Sequence, residues 1–396
     1  MLHSSRLASR QGGAAQSSGR HGGLLAKMIF FCVLVSILVV PFGLINLQQG
    51  MQIPPMMSEE SFGGTSINKN SQPTTSAIAP PPPKKKKYEP VSCPSQIATR
   101  GAPGSRDPNN GMSESPKRLT ITDPPFWISL HKHHFDKLRW ASIMIQGNYY
   151  ETGITNQFHQ ILANTPRPGL VLDIGMNIGW FTLFARAHGH TVAGFDPNEI
   201  MHTRVCESLE LNHWHTDSSV QIFKCGLGEQ ESTLNLTTGN NPGMSSFHEE
   251  RLAMRFRKKI PVKVVTLDSV ALQEGWLDDH ADSPPIYLMK VDVEGYEPFV
   301  FGGGKRLLQS GRVENIIMEN SVSDLRQSTD LVATIYQAGY KVKLLSTSNG
   351  GRFHPEMIPK IEKELESASP GMDLEGVGEA LKFFAKENCN VWWTKR

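Results

Sequence analysis

The chain has 396 residues, enough for one large domain or two small ones. Its formal net charge of +2, with 20% charged residues, provides no global field that would attract nucleic acid. Five cysteines, Cys32, Cys93, Cys206, Cys225 and Cys389, include no CxxC pair, which argues against zinc. The four outside the apolar block around Cys32 could pair in an oxidising lumen, but with no framework spacing isolated thiols are the default.

Residues 1–27 carry Arg6, Arg10, Arg20 and Lys27 and no acidic residue. Met28 to Leu47 then runs twenty residues without a charge, the length of a membrane-spanning helix. Basic residues before the span keep residues 1–27 cytosolic and send the C-terminal remainder across the membrane, as in a type II signal anchor. A cleaved signal peptide and an organelle transit peptide are the rival readings. Residues 48–118 are rich in Pro, Ser, Gly and Asn and contain Pro80–Pro83 followed by Lys84–Lys87. Such a segment lacks the apolar surface to fold and reads as a disordered, solvated stem. The folded domain is expected over residues 119–396.

Phe126 to Leu162 is mixed, with a helical pattern from Thr155. His131, His133 and His134 have no acidic or cysteine partner in register, so no metal is expected there. Leu170-Val-Leu-Asp-Ile174 is a short apolar run that reads as a strand buried on both faces. Gly175 and Gly179 follow, then a helix from Trp180 to Ala187. Strand, glycine-bearing turn and helix form a nucleotide-binding turn, where glycine admits a ligand close to the backbone and the helix N-terminus offers unpaired N–H groups. Further strands are expected at 191–195, 220–225, 233–236, 260–267, 286–293, 313–318, 340–345 and 390–394, with helices at 199–214 and 325–338. The alternation predicts an α/β fold with a doubly wound, mainly parallel sheet.

In such a sheet the ligand lies beyond the C-terminal strand ends, where Asp173, Asp196, Asp292 with Glu294, and Glu319 fall in succession. Asp196 lies 23 residues beyond Asp173, where a carboxylate closing the second strand accepts hydrogen bonds from ribose hydroxyls. A dinucleotide turn needs GxGxxG, whereas here Gly175-Met-Asn177-Ile-Gly179-Trp180 lacks the middle glycine and carries a bulky Trp. A ligand without phosphates, such as S-adenosylmethionine, suits the turn better than a nicotinamide dinucleotide.

The motifs Leu172-Asp-Ile-Gly-Met-Asn-Ile-Gly179, Phe195-Asp-Pro-Asn198, Asn241-Pro-Gly-Met-Ser-Ser246, Val265-Thr-Leu-Asp268 and Lys290-Val-Asp-Val-Glu-Gly-Tyr-Glu297 resemble, in order and spacing, those of FkbM-type methyltransferases. The resemblance implies a class I methyltransferase-like (Rossmann-like) domain using S-adenosylmethionine to methylate hydroxyl oxygens. It implies that Asp173, Gly175, Asn177 and Gly179 line the methionine end of the cofactor, that Asp196 holds the ribose, and that Gly226 borders the adenine. Met176 and Asp196 depart mildly from the family pattern, which more often has alanine and glutamate there.

Methyl transfer from a sulfonium requires alignment of the acceptor oxygen and removal of its proton. Asp292 and Glu294 are the candidates for base or acceptor orientation, with Lys290 placed to pair with Asp292 on one face of the strand. Glu319 and His248 are secondary candidates. The carboxylates could alternatively hold Mg²⁺, but no decisive ligand set is visible. Anchor and stem together suggest a domain in the Golgi or ER lumen acting on a glycan or other secretory-pathway acceptor, with Gly239–His248 and Asn349–Gly371 as acceptor loops. Asn235-Leu-Thr237 is the one N-x-S/T sequon. The rival from another class is a non-catalytic module that keeps the fold to bind a ligand or partner.

Overall fold

A computed structural model describes residues 86–93, 115–132, 143, 150–239, 243, 245–248, 258–278, 283–345, 355–387 and 389–396. The expected tail and anchor, 1–47, and the stem up to residue 85 lie outside the described residues. Among the described residues no helix is long and apolar enough to cross a membrane.

Residues 86–93 form an irregular strap, followed by a hairpin of β1 (Lys117–Leu119) and β2 (Trp127–Ser129). Then come α1 (Thr152–Leu162), β3 (Leu170–Ile174), α2 (Trp180–Ala187), β4 (Thr191–Phe195), α3 (Glu199–Leu211) and β5 (Val220–Phe223). β6 (Gly226–Leu227), β7 (Ser232–Thr238) and β8 (Lys258–Val265) make a separate three-stranded sheet. The chain continues through α4 (Leu267–Gln273), β9 (Ile286–Val291), α5 (Glu297–Gly302), α6 (Lys305–Gln309), β10 (Val313–Asn320), α7 (Leu325–Gln337) and β11 (Tyr340–Leu344). It ends in α8 (Ile358–Ser367), α9 (Glu379–Lys386) and β12 (Cys389–Lys395).

The main sheet has seven strands in the order β11-β12-β10-β9-β3-β4-β5, with β12 antiparallel to both neighbours and every other pair parallel. This is the doubly wound order with one antiparallel strand inserted near an edge, so the expected fold class is observed. The order reverses between β3 and β9, and the crevice beyond their C-terminal ends is the place for a ligand.

Both faces of the sheet are covered, which explains why β3 and β9 read as unbroken apolar runs. Leu172, Ile174, Met289, Val291 and Ile316 point to one core, shared with Leu331, Val332 and Ile335 of α7. Val171, Leu288 and Ile317 point to the other, shared with Phe158 of α1, Phe181 and Phe184 of α2, and Phe126 and Ile128 near β2. Three helices begin at side-chain caps: Asn198 accepts from the Ile200 N–H, Thr266 from Ser269 and Asp324 from Gln327.

Three expectations need correction. Residues 86–93 belong to the folded domain and not to a solvated stem: Tyr88 is buried in the core, and the Val91 N–H donates to the Ile222 carbonyl of β5 at 2.6 Å. Lys86 pairs with Glu274 at 2.5 Å and Lys87 with Glu231 at 2.7 Å, so both described lysines of the run are engaged. The cysteines are not all isolated, since Cys93 on the strap forms a disulfide with Cys206 on α3, while Cys225 and Cys389 are buried thiols. The two partners are 113 residues apart, a distance at which spacing carries no information about pairing. Finally, most of the described part of the expected acceptor loop 349–371 is helical, from Pro355 through α8.

Candidate functional site

The turn after β3 is built for close approach of chain segments. Gly175 has φ +80°, and a Cβ there would lie 1.8 Å from the Asp292 carbonyl oxygen, so only glycine lets this turn press against the end of β9. Asn177 is also left-handed, with φ 54°. Its N–H donates to Asp196 Oδ2 at 3.1 Å, and the Asn198 N–H donates to Asp196 Oδ1 at 2.8 Å. Two backbone donors thus fix the carboxylate at the end of β4.

Beyond these strand ends lies a cleft of about 660 Å³, open to solvent, whose lining includes Gly175, Asn177, Asp196, Gly226, Asp292 and Glu294. Gly243 and residues 245–248 close one side, held at several points. The Asn177 amide donates to the Gly243 carbonyl at 3.2 Å, the Asn198 amide to Ser245 Oγ at 3.2 Å, and Ser246 Oγ to the Glu294 carbonyl at 3.0 Å. Phe247 lies over Gly226, where a Cβ would come within 2.9 Å of its ring, and 4.7 Å from the Tyr296 ring. The segment expected to receive the acceptor is therefore a wall of the cofactor-side cleft. The roles of Ser245, Ser246, Phe247 and Tyr296 were not legible in the sequence, although all four fall within or beside the family-like motifs.

Two expected cofactor contacts lie elsewhere. Asp173 is fully buried beneath the cleft and absent from its lining, with its Oδ2 accepting from Thr182 Oγ1 at 2.7 Å. Burial pushes its carboxyl pKa up, and Lys290 and Thr182 oppose that rise. Asp173 pairs in register with Lys290 across β3 and β9, which makes it a support for that lysine. Gly179 faces α3, where a Cβ would meet Val205 at 2.9 Å, so it serves helix packing.

The expected catalytic residues are brought together. Lys290 Nζ donates to Asp292 Oδ2 at 3.0 Å, with the lysine side chain 4% and the aspartate 26% exposed. Burial alone would push the lysine pKa down, but Asp292, Asp173 and Glu151 more than offset it, and the ammonium is held above its ordinary pKa. Lys290 therefore stays charged and keeps Asp292 paired. Glu294, at φ 55°, turns the chain back toward Glu297. Glu297 is fully buried, and its Oε1 accepts from the Val293 and Gly295 N–H groups at 3.1 and 3.2 Å. Burial raises its pKa to about 7. Burial, with Asp292 and Glu294 adding to it, raises Glu319 to about 9. His248 packs 5.8 Å from Tyr296 and 6.2 Å from Phe299.

Among the described residues there is no group of three or more His, Cys, Asp or Glu arranged to hold a metal. His131 is buried, and His133 and His134 lie outside the described residues. The described lining of the cleft contains three carboxylates, Asp196, Asp292 and Glu294, and no lysine or arginine. That charge pattern repels a pyrophosphate and favours a ligand bearing a positive centre.

Residues 173–342 match the sequence profile of the family described as "Methyltransferase FkbM domain". Among curated proteins, "Methyltransferase 1" of Beauveria bassiana (strain ARSEF 2860) is 28% identical over 154 residues, covering 36% of this chain and 61% of that protein. The chain thus spans about three fifths of that relative's length. Among solved structures, a SAM-dependent methyltransferase from Agrobacterium tumefaciens is 12% identical, covers 61% of this chain and 65% of its own, and has a TM-score of 0.32. The precorrin-6y C5,15-methyltransferase from Geobacter metallireducens GS-15 is 12% identical, covers 51% of this chain and 81% of its own, and has a TM-score of 0.27. The cofactor of the FkbM family is S-adenosylmethionine, and the acid-lined cleft, with no lysine or arginine in its described lining, fits its sulfonium. The family profile runs from within β3 to within β11, the stretch whose strand ends form the cleft, and the chain resembles FkbM methyltransferases there.

Proposed function

We propose that the protein transfers a methyl group from S-adenosylmethionine to a hydroxyl oxygen of a glycan or other secretory-pathway acceptor. The observation that carries the reading is the buried Lys290–Asp292 pair at 3.0 Å, placed at the edge of the cleft formed by Gly175, Asn177 and Asp196. When bound, the cofactor supplies an electrophilic methyl group on a sulfonium. Asp196, oriented by two backbone N–H groups, would accept hydrogen bonds from hydroxyls of the ribose. Gly175, Asn177 and Gly226 line the cleft that would take the ligand, and Phe247 and Tyr296 offer it aromatic walls. Asp292, partly exposed, would accept the proton of the acceptor hydroxyl at Oδ1 or Oδ2, while Lys290 orients its carboxylate. Glu294 stands beside it to hold the acceptor.

A lumenal site of action is part of the proposal. It is supported by the Cys93–Cys206 disulfide, a bond that persists in oxidising compartments. It is further supported by the exposed position of Asn235 of the sequon on β7, and by the apolar stretch 28–47 as a signal anchor.

The test is incubation of the purified protein with S-adenosylmethionine labelled in the methyl group and with glycan extracts. Label on a glycan oxygen is expected, and lost in Asp292→Asn. Failure of the intact protein to bind the labelled cofactor would sink the enzyme reading and leave a binding module. A glycosidase-sensitive mobility shift abolished by Asn235→Gln is the expected sign of lumenal exposure.

A further inference from the structure

A second concave site lies at the other end of the sheet. It is a groove of about 590 Å³ between α1 and the starts of β9 and β10, closed by β12, and lined by Gln157, Gln160, Tyr287, Glu314, Asn315 and Trp392 among others. Tyr287 and Asp292 are five residues apart along one strand, about 17 Å at the rise of a β-strand, so the groove is separate from the methyl-transfer cleft.

The groove is held in shape by its own hydrogen bonds. Trp392 Nε1 donates to Asn315 Oδ1 at 3.0 Å, and Asn315 Nδ2 donates to the Tyr287 carbonyl at 3.0 Å. These bonds fix the half-buried indole in one orientation on the groove wall. Tyr287 is 4% exposed and fits because residue 169 is glycine, where a Cβ would meet its ring at 2.6 Å. Gln157 and Gln160 stand three residues apart on one face of α1. Each side-chain amide offers two donors and a carbonyl acceptor, and neither makes a hydrogen bond to the described residues. Glu314 adds an acceptor at the mouth, its carboxyl pushed up by partial burial. Lys343 rests on the Trp392 ring, 4.3 Å from its centroid, but is not among the lining residues.

This combination selects a chemistry. With no lysine or arginine in the described lining and a carboxylate at the mouth, the groove disfavours phosphates and other anions. The partly exposed, oriented Trp392 indole accepts an apolar C–H face, with the buried Tyr287 behind it as support, and neutral amides with a carboxylate satisfy hydroxyl groups around its edge. A neutral saccharide has both features. We infer that the groove between α1 and the β9, β10 and β12 strands is a saccharide-binding site distinct from the methyl-transfer cleft. Its use as an anchor for a long acceptor rests on the glycan reading above; saccharide binding itself does not.

The test uses the full chain and a panel of neutral oligosaccharides derived from xylan, mannan, galactan and glucan, titrated by calorimetry and by tryptophan fluorescence. Binding of at least one is expected. Affinity should fall about thirtyfold in Gln157→Ala/Gln160→Ala, the equivalent of two hydrogen bonds, and fall likewise in Trp392→Leu. The double glutamine variant alters only helix-surface side chains and keeps the test valid if Trp392→Leu does not fold. S-adenosylhomocysteine should not displace the sugar. No binding by any member, binding indifferent to the glutamine substitutions, or displacement by S-adenosylhomocysteine each overturns the inference. Binding without methyl transfer to any member leaves the groove standing and removes the glycan-acceptor reading. Transfer without groove binding does the reverse.

Discussion

Lys290 has two carboxylate neighbours of different character: its ammonium is 3.0 Å from the partly exposed Asp292, and its register neighbour across the β3–β9 pair is the fully buried Asp173. Asp292→Asn keeps the shape of the site and removes the proton acceptor. Turnover should fall about 10²- to 10⁴-fold, the usual contribution of a positioned base, and the melting temperature should fall as well, because the buried Lys290 ammonium loses its hydrogen-bonded carboxylate. Labelled methyl transfer and a thermal scan read the two effects.

Lys290→Met should act on folding. It leaves Asp173 in a dry site without its cation, at a cost of about 3–5 kcal/mol in stability. Adding Asp173→Asn removes the stranded charge and should restore much of that loss. Urea unfolding of the single and double variants checks this, and equal destabilisation in both would contradict the assigned role of Asp173.

Asp196→Ala should weaken S-adenosylmethionine binding about 10- to 100-fold, since hydrogen bonds to a charged group are worth roughly 1.5–3 kcal/mol. Gly175→Ala should do more, because the strained φ and the 1.8 Å approach to Asp292 force the turn off the end of β9. Equilibrium dialysis with labelled cofactor measures both, and Gly175→Ala with parent-like affinity would exclude the tight turn as a requirement.

Glu297 carries a pH signature. Its pKa in the folded protein is about 7 against an ordinary 4.5. A carboxyl raised on folding binds its proton more tightly in the native state, so its contribution is fully present below pH 4.5 and lost as pH rises through 7. Glu297→Gln preserves a carbonyl acceptor for Val293 and Gly295 and cannot ionise. Relative to the parent it should flatten the stability profile over that interval by up to about 3 kcal/mol. Denaturant midpoints at a series of pH values test the sign.

Reduction of Cys93–Cys206, or Cys93→Ser, should lower stability by about 2–4 kcal/mol through release of a long closed loop. Cys225 and Cys389, their thiols pushed up to about 12 by burial, should resist alkylation in the native state. Unfolding curves with and without reductant, and mass mapping of labelled cysteines, provide the readouts.

What could be read from the sequence divides by the range of the interaction. β3, α2, β4 and β9 were visible because a strand buried on both faces is a run of apolar residues, and a glycine turn comes after it in chain order. Asp292 and Lys290 could be placed on one face by the period of two along a strand. Asp173 and Gly179 sit in the same motif as Gly175 and Asn177, and nothing in the string separates those that line the cleft from those that support it. That difference is set by what lies opposite: Thr182 and Lys290 for Asp173, Val205 for Gly179. The strap at 86–93 was missed for a related reason. Its proline-rich neighbourhood and lysines read as solvent-borne, and only the distant partners Glu231, Glu274 and Cys206 reveal that it is docked.

β5 is the last strand of the main sheet, and its outward backbone meets the Val91 N–H. An uncovered terminal strand is a template on which another chain can add. The stapled strap therefore works as a selvedge, finishing the weave so that it does not take up a neighbour's thread. The Cys93–Cys206 bond ties that border at one end, and the buried Tyr88 with the Lys86–Glu274 and Lys87–Glu231 pairs tie it at the other.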